Sequence, residues 1–453
     1  MSNQRKIEIR VPAELGDHLK AAARHTAGRE SVVFTLTSHM ELTDRIVILV
    51  RKVIPLPDSA YLHDSRHGAK WSGSAMLPVL NEAMAGDYGV CLFHVHQDHG
   101  PVELSQDDYS NGGRLLSTFR NLVGLRPHGS VVFSSSHMAG IVQLPGSDSY
   151  QPVKKLRWLG KTLKDIPSGL EATDVNPHAA TFHRQVLLIG SRGQMRLQSA
   201  TVAVAGLCGG GSHTVQGLAH LGVGHVIGID HDYAEESNRH RMVGLTWLDV
   251  LLKRRKTAVM KRLVRRINRQ VKFTPVPYPL PDQRAIDAIK QADVVIGCLD
   301  NFHARADLQD LSWRYLIPLV DIGLTIIPAS LERPELAIGG NVATFIPGQF
   351  CAWCAGFLSQ KKLDEETGGR PRSYFEGTAA QAQVISFNGV LANQAVSDVL
   401  QLLTGFAPHN SNYSIRKFDG VGGTLENWRV RKDPSCAFCE RALSAGEVVW
   451  RKA

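Results

Sequence analysis

An α/β protein of two domains is predicted: a C-terminal doubly wound, mostly parallel sheet preceded by a smaller α+β domain. Three observations lead there. The 453 residues exceed what one ordinary core organises. From about residue 200 the chain alternates strand, glycine-rich turn, helix and strand, whereas residues 31–143 hold short β-rich runs without that alternation.

In the N-terminal half, residues 13–27 read as a helix, and β-rich runs follow at 31–38, 45–54, 90–96 and 130–143. They define a domain over residues 1–150. Residues 145–182 are polar, with scattered Pro, Gly and Ser and no long periodic segment beyond 153–164, so a linker is expected at 151–178 and the second domain at 179–453. There ATVAVAG is followed by LCGGGS, HTVQGLAHLG and HVIGID. A further buried strand, ADVVIGCLD, ends at Asp300, and IPLVDIG lies at 317–323. Strands alternating with helices make a parallel sheet that binds ligands at the carboxyl ends of its strands.

Composition narrows the class. The apolar fraction of 43% and charged fraction of 21% are those of a soluble chain. No apolar run approaches the roughly 20 residues that span a bilayer, and residues 1–30 lack a signal-peptide core, so a cytoplasmic protein without membrane contact is expected. The formal charge of +9 is concentrated at 253–272, which hold ten basic residues and no acid. Val259, Leu263 and Ile267 recur there every four residues. This is an amphipathic helix whose basic face is either simply solvated or docks an acidic protein or RNA.

Seven cysteines do not make a disulfide framework in a chain of this size. Four of them form Cys351-Ala-Trp-Cys354 and Cys436-Ala-Phe-Cys439. Four thiolates close a tetrahedral zinc shell with no open position, so this zinc is structural.

A second metal constellation lies in the first domain. His94 and His96 end an apolar strand on one face, and Ser105-Gln-Asp-Asp108 follows, with Ser105 able to cap a helix and Asp108 on its first turn. Two imidazoles and one carboxylate leave a fourth zinc position for water, and Glu30, where the first helix meets the next strand, is placed to serve that water as base. The set resembles the JAB/JAMM metallopeptidases. The resemblance implies His94, His96 and Asp108 as ligands of a catalytic zinc, Glu30 as general base and Ser105 as oxyanion support. The His96–Ser105 loop holds eight residues, one more than that family's spacing.

In the second domain Gly206, Gly209, Gly210, Gly211 and Ser212 sit between a buried strand and a helix, where backbone amides cradle phosphates. Asp230 ends the next strand, where a carboxylate takes ribose hydroxyls. A nicotinamide enzyme would look the same to this point. Asn238, Arg241, Lys256, Asp300 and Asn301 argue instead for a triphosphate, with cations neutralising its charge and Asp300 holding magnesium.

This stretch resembles the ThiF/MoeB family and the ubiquitin-activating enzymes. The resemblance implies ATP and Mg2+ as cofactors, with Asp230, Asp232, Asn238, Arg241, Lys256 and Asp300 serving ATP. It also implies Arg184, in Phe-His-Arg-Gln, as a finger reaching a partner subunit's ATP, hence a homodimer. Cys208 departs from the family by replacing a loop glycine. The loop at 371–377, where ubiquitin-activating relatives carry a nucleophilic cysteine, has none, and Ser373 is its best-placed hydroxyl.

The leading expectation is a bifunctional enzyme. Its second domain would adenylate the C-terminal glycine of a ubiquitin-like or sulfur-carrier protein, with a conjugating enzyme as a further partner, and its first would cleave extended carriers or conjugates. The alternatives are sulfur-carrier activation for cofactor synthesis or adenylation of a tRNA base, with the JAMM half a binding module. The fusion to a peptidase argues against a nucleic-acid partner.

Overall fold

The computed structural model describes residues 5–23, 31–62, 69–95, 102–168, 180–329, 334–368, 382–407 and 415–447. Two compact units emerge. One comprises Met1–Ala172, Arg314–Leu316 and Arg441–Ala453, the other Thr173–Trp313 and Ile317–Glu440.

The first unit is built on eight strands: β1 Lys6–Val11, β2 Val33–Glu41, β3 Arg45–Pro55, β4 Gly89–His94, β5 His128–Phe133, β6 Met138–Gln143, β7 Tyr150–Trp158 and β8 Lys164–Pro167. Their order is β1-β3-β2-β4-β5-β6-β7-β8, and β1 also pairs with β7, so seven of them close into a ring. Alternation along β2 explains its two cores. Val33 joins Ile7, Ile48, Phe93 and Leu19 of α1 (Ala13–Ala22), whereas Phe34 and Leu36 join Leu80 of α2 (Leu77–Gly86) and Phe119 of α3 (Gln106–Val123).

The structure refines the expected elements in three places. The run 130–143 is two strands joined by a turn. β1 and α2 went unread. The expected linker 151–178 carries most of β7 and all of β8. β7 looked like a linker because its charges are paired across the sheet rather than solvated: Lys155 Nζ lies 3.3 Å from Glu8 of β1, and Arg157 Nε 2.6 Å from Asp165 of β8.

The second unit holds α4 His183–Ser199, β9 Thr201–Ala205, α5 Gly209–Leu221, β10 His225–Ile229, α6 Trp247–Leu251, α7 Lys256–Ile267, β11 Lys272–Val276, α8 Gln283–Lys290 and β12 Val294–Gly297. It continues with α9 Phe302–Arg314 up to Trp313, β13 Leu319–Ile327, β14 Ala337–Phe345, α10 Gln360–Thr367, α11 Ile385–Thr404, β15 Ile415–Asp419, β16 Thr424–Trp428 and α12 Ala437–Ala442 up to Glu440. The sheet order is β11-β10-β9-β12-β13-β14-β15-β16, parallel from β11 to β13 and antiparallel beyond. Crossing from β9 to β10 on one side and to β12 on the other makes β9 the switch point, and ligands of such sheets bind outside the strand ends there. On α7 the buried face is Val259, Met260 and Val264, with Leu263 and Ile267 only partly covered. Among the described residues no helix is long and apolar enough to cross a membrane.

Candidate active site

The glycine-rich turn between β9 and α5 is shaped by close approach. Gly206 has φ +86°, and a Cβ there would lie 2.4 Å from the Cys298 carbonyl at the end of β12; a Cβ on Gly211 would lie 1.8 Å from the Gly206 carbonyl. No side chain fits either position, and the amides at the start of α5 stay bare toward a ligand. Ser212 serves the protein instead: it is buried, donates to Gly209 O and accepts from Val243 N, each at 3.0 Å. That second bond ties the turn carrying Asn238 and Arg241 to the glycine-rich loop. Asn238 is buried and its Oδ1 accepts from Glu235 N, while half-buried Arg241 donates to Ser237 O at 3.2 Å.

At the end of β10, Asp230 Oδ2 accepts from Leu207 N at 2.8 Å and Oδ1 from Asp232 N at 2.9 Å. Each oxygen has a second lone pair for another donor. Burial raises the Asp230 carboxyl above its ordinary range, against the pull of Lys256. Lys256 Nζ lies 2.7 Å from Asp232 Oδ2. Burial pulls the Lys256 ammonium down, but Asp230 and Asp232 outweigh it and its pKa is raised; for Asp232 burial likewise opposes and Lys256 prevails, lowering it. The cation is therefore held in place and stays charged through the neutral range.

Beyond β12, Asp300 is exposed, and Asn301 caps α9 by accepting from Ala304 N at 2.7 Å. Glu366 of α10 accepts from the amides of Phe302 and His303 at 3.2 and 2.9 Å. Sequence reasoning passed over Glu366, Arg305 and Asp321, all of which surround this loop; the one local signal was an arginine a helical turn after the capping Asn301.

Arg184 stands apart from this cluster. It is exposed on the first turn of α4, whose Gln185 donates to Leu221 O at the far end of α5. Thirteen residues of α5, about 20 Å at 1.5 Å per residue, separate that end from the glycine-rich turn of the same chain.

The four knuckle cysteines converge. Sγ–Sγ distances are 3.6 Å for Cys351–Cys354 and 3.8 Å for both Cys351–Cys436 and Cys354–Cys439. A tetrahedral shell of thiolates about 2.3 Å from zinc has edges of roughly 3.8 Å, so the set fits that ion.

In the first unit His94 ends β4 with Nε2 3.2 Å from Asp108 Oδ1. The other Asp108 oxygen accepts from Ser105 N and Oγ at 2.9 and 2.7 Å, and Ser105 Oγ accepts from Asp108 N at 3.0 Å. Ser105 and Asp108 thus form the capping box of α3 while the carboxylate also meets the imidazole. Glu30, His96 and Ser373 lie outside the described residues.

Residues 182–438, more than half the chain, match the ThiF family. The chain belongs to that family. Its similarity to the sulfur carrier protein adenylyltransferase of Thermus thermophilus is 34% identity, spanning 59% of this chain and 93% of that protein. The adenylyltransferase and sulfurtransferase MOCS3 of Xenopus laevis is 29% identical over 58% of this chain and 54% of its own length. The chain thus spans about half the length of the MOCS3 relatives it matches. A crystal structure of Escherichia coli MccB with succinimide aligns at TM-score 0.47 and 20% identity, over 58% of this chain and 75% of that one. The ThiF-family match contains every residue of the glycine-rich turn, Asp230, Lys256, Asp300 and the cysteine pair Cys351 and Cys354.

Proposed function

We propose that the second unit activates the C-terminal carboxylate of a sulfur-carrier or ubiquitin-like protein by adenylation. The convergence of the glycine-rich turn, Asp230, the Lys256–Asp232 pair and Asp300 at the carboxyl ends of β9, β10 and β12 carries this reading. The sulfur carrier protein adenylyltransferase of T. thermophilus and the MOCS3 proteins support the substrate class by their names. In the reaction a carrier carboxylate oxygen bonds to the α-phosphorus of ATP, the bond to the β-phosphate oxygen breaks, and pyrophosphate leaves with the electron pair. The amides opening α5 hold phosphate oxygens, Asp230 accepts ribose hydroxyls, and Lys256 and Arg241 oppose the charge that grows on the phosphates. Asp300 is the carboxylate for a magnesium ion, which when bound shields phosphate charge from the incoming carboxylate.

Purified protein incubated with candidate carriers and labelled pyrophosphate tests the reading. Carrier-dependent ATP–pyrophosphate exchange is expected, together with a carrier mass raised by an adenylyl group. No exchange with any small protein ending in glycine would count against it. The site around Arg184 supports a homodimer, since its distance from the turn of its own chain suits a finger that serves a second copy. Four cysteines at tetrahedral spacing support one structural zinc.

A second activity, zinc-dependent hydrolysis by the first unit, is supported by the His94–Asp108 contact. Tetrahedral ligands about 2.0–2.1 Å from zinc lie roughly 3.3 Å apart, near the 3.2 Å observed. With His96 as third ligand and Glu30 as base, this unit would cleave carrier extensions or conjugates. Zinc analysis of the full chain tests it: two ions per chain are expected, falling to one in His94→Ala, whereas one ion in both proteins removes the catalytic centre.

A further inference from the structure

We propose that Arg305, paired with Asp321, is a positioning residue that sets the backbone carrying Asp300; the inference rests on the adenylation reading. Arg305 is buried on α9, one turn after Asn301. Its guanidinium pairs with Asp321 and donates to the carbonyls of Leu299 and, at 2.9 Å, Ile322. The Leu299 carbonyl belongs to the peptide group whose nitrogen is that of Asp300. A peptide group is planar, so a hydrogen bond that holds its oxygen restrains rotation of the whole group and with it the direction in which the Asp300 Cα departs.

The loop is then held from both sides. After Asp300, Asn301 and Glu366 take the amides of Ala304, Phe302 and His303. Before it, Arg305 holds the 299–300 peptide. The anchor beneath Arg305 is itself fitted to β12. Asp321 pairs in register with Gly297, and a Cβ on residue 297 would lie 2.6 Å from Asp321 Oδ1. The carboxylate reaches its place only because residue 297 has no side chain.

A buried ion pair is a poor device for stability alone, because an apolar pair of similar volume serves as well or better. What an apolar pair cannot do is grip a carboxylate, the Leu299 carbonyl beyond β12 and the Ile322 carbonyl within β13 at once. A planar guanidinium with five donors in a fixed fork does this, and a lysine ammonium offers a point charge without the fork. A carboxylate that must meet a metal and a triphosphate within about half an ångström gains from such a grip.

The test compares the natural chain with Arg305→Lys and with the double variant Arg305→Met, Asp321→Asn, which leaves no lone buried carboxylate. ATP binding is titrated against free Mg2+, and kcat and KM for ATP are measured by pyrophosphate exchange with a carrier. In the folded double variant the half-saturating Mg2+ concentration is expected to rise about tenfold and kcat to fall about 100-fold, while KM for ATP stays within about threefold. Arg305→Lys is expected to fall between. A folded double variant with unchanged Mg2+ response and kcat overturns the proposal, and so does a loss of activity that only tracks the folded fraction. A natural chain that binds ATP with Mg2+ but never exchanges pyrophosphate would end the adenylation reading, and the Mg2+ titration alone would then judge Arg305.

Discussion

Lys256 Nζ sits 2.7 Å from Asp232 Oδ2, and this pair joins the start of the basic helix α7 to the segment leaving β10 beside the glycine-rich turn. Asp230 and Asp232 together keep the ammonium charged despite its burial. Lys256→Met is therefore expected to lower carrier-dependent pyrophosphate exchange about 100-fold or more, the scale of removing one preorganised charge from a transition state. Asp232→Asn leaves the ammonium in place with a weaker anchor and is expected to cost less. Exchange kinetics of the two variants decide the order.

Arg184 and Asp300 are expected to complement each other between subunits. Arg184→Ala and Asp300→Ala each inactivate a homodimer whose finger works in trans, but a mixed dimer contains one intact site. Mixing the two inactive proteins should restore up to about a quarter of natural exchange, the share of sites for which both contributing subunits are intact at that position. If subunits proven to swap stay inactive, the finger acts within its own chain or has no role.

How far the sequence was legible follows from the range of each signal. The glycine-rich turn was readable because buried parallel strands write continuous apolar runs, and Gly206 and Gly211 stand where no Cβ fits. The cysteine knuckles were readable because two fixed spacings of three carry the ligand set. β7 was not, because Lys155 and Arg157 look like solvated linker residues until Glu8 and Asp165 are seen beside them. Arg305 and Asp321 stand 16 residues apart with no local pattern, and their pairing exists only once β12 and β13 are adjacent.

His128 makes the first unit sensitive to acid. It is fully buried on β5, its Nδ1 accepts from Val90 N at 3.1 Å, and burial pushes its pKa down to about 4 from the ordinary value near 6.5. Between those values the unfolded chain binds a proton that the folded chain refuses, so stability falls as pH drops from about 6.5 to about 4 and is unaffected by this group above that window. The loss should reach about 3 kcal/mol as an order of magnitude. Denaturant midpoints at pH 7.5 and 5 capture about 2 kcal/mol of it, and His128→Gln should flatten the difference. An equal slope in that variant assigns the acid sensitivity elsewhere.

Glu30→Gln is expected to keep two zinc ions per chain and to lose cleavage of carrier fusions about 100-fold or more, since the base contributes to proton transfer and not to the metal shell. Full turnover by this variant would remove Glu30 from the mechanism.

No thioester is expected between this enzyme and its carrier. The cysteines are accounted for by place: Cys91 is buried and Cys298 half-buried beside the glycine-rich turn, and desolvation pushes both thiols up to about 12, where neither is a nucleophile. Cys351, Cys354, Cys436 and Cys439 stand at zinc-shell spacing, and a metal-bound thiolate is committed to its ion. Cys208 lies in the glycine-rich turn, where the phosphates of ATP would cover it. Residues 371–377 contain no cysteine, so on the proposed reading an adenylate would pass either directly to an outside acceptor or to a hydroxyl such as Ser373. A serine needs an adjacent base to attack, which makes direct transfer the expected route. Enzyme, carrier and ATP are incubated and run on denaturing gels with and without reductant. An adduct that reductant removes would refute the expectation, whereas one that survives reductant, yields to hydroxide and vanishes in Ser373→Ala would replace direct transfer by an oxyester.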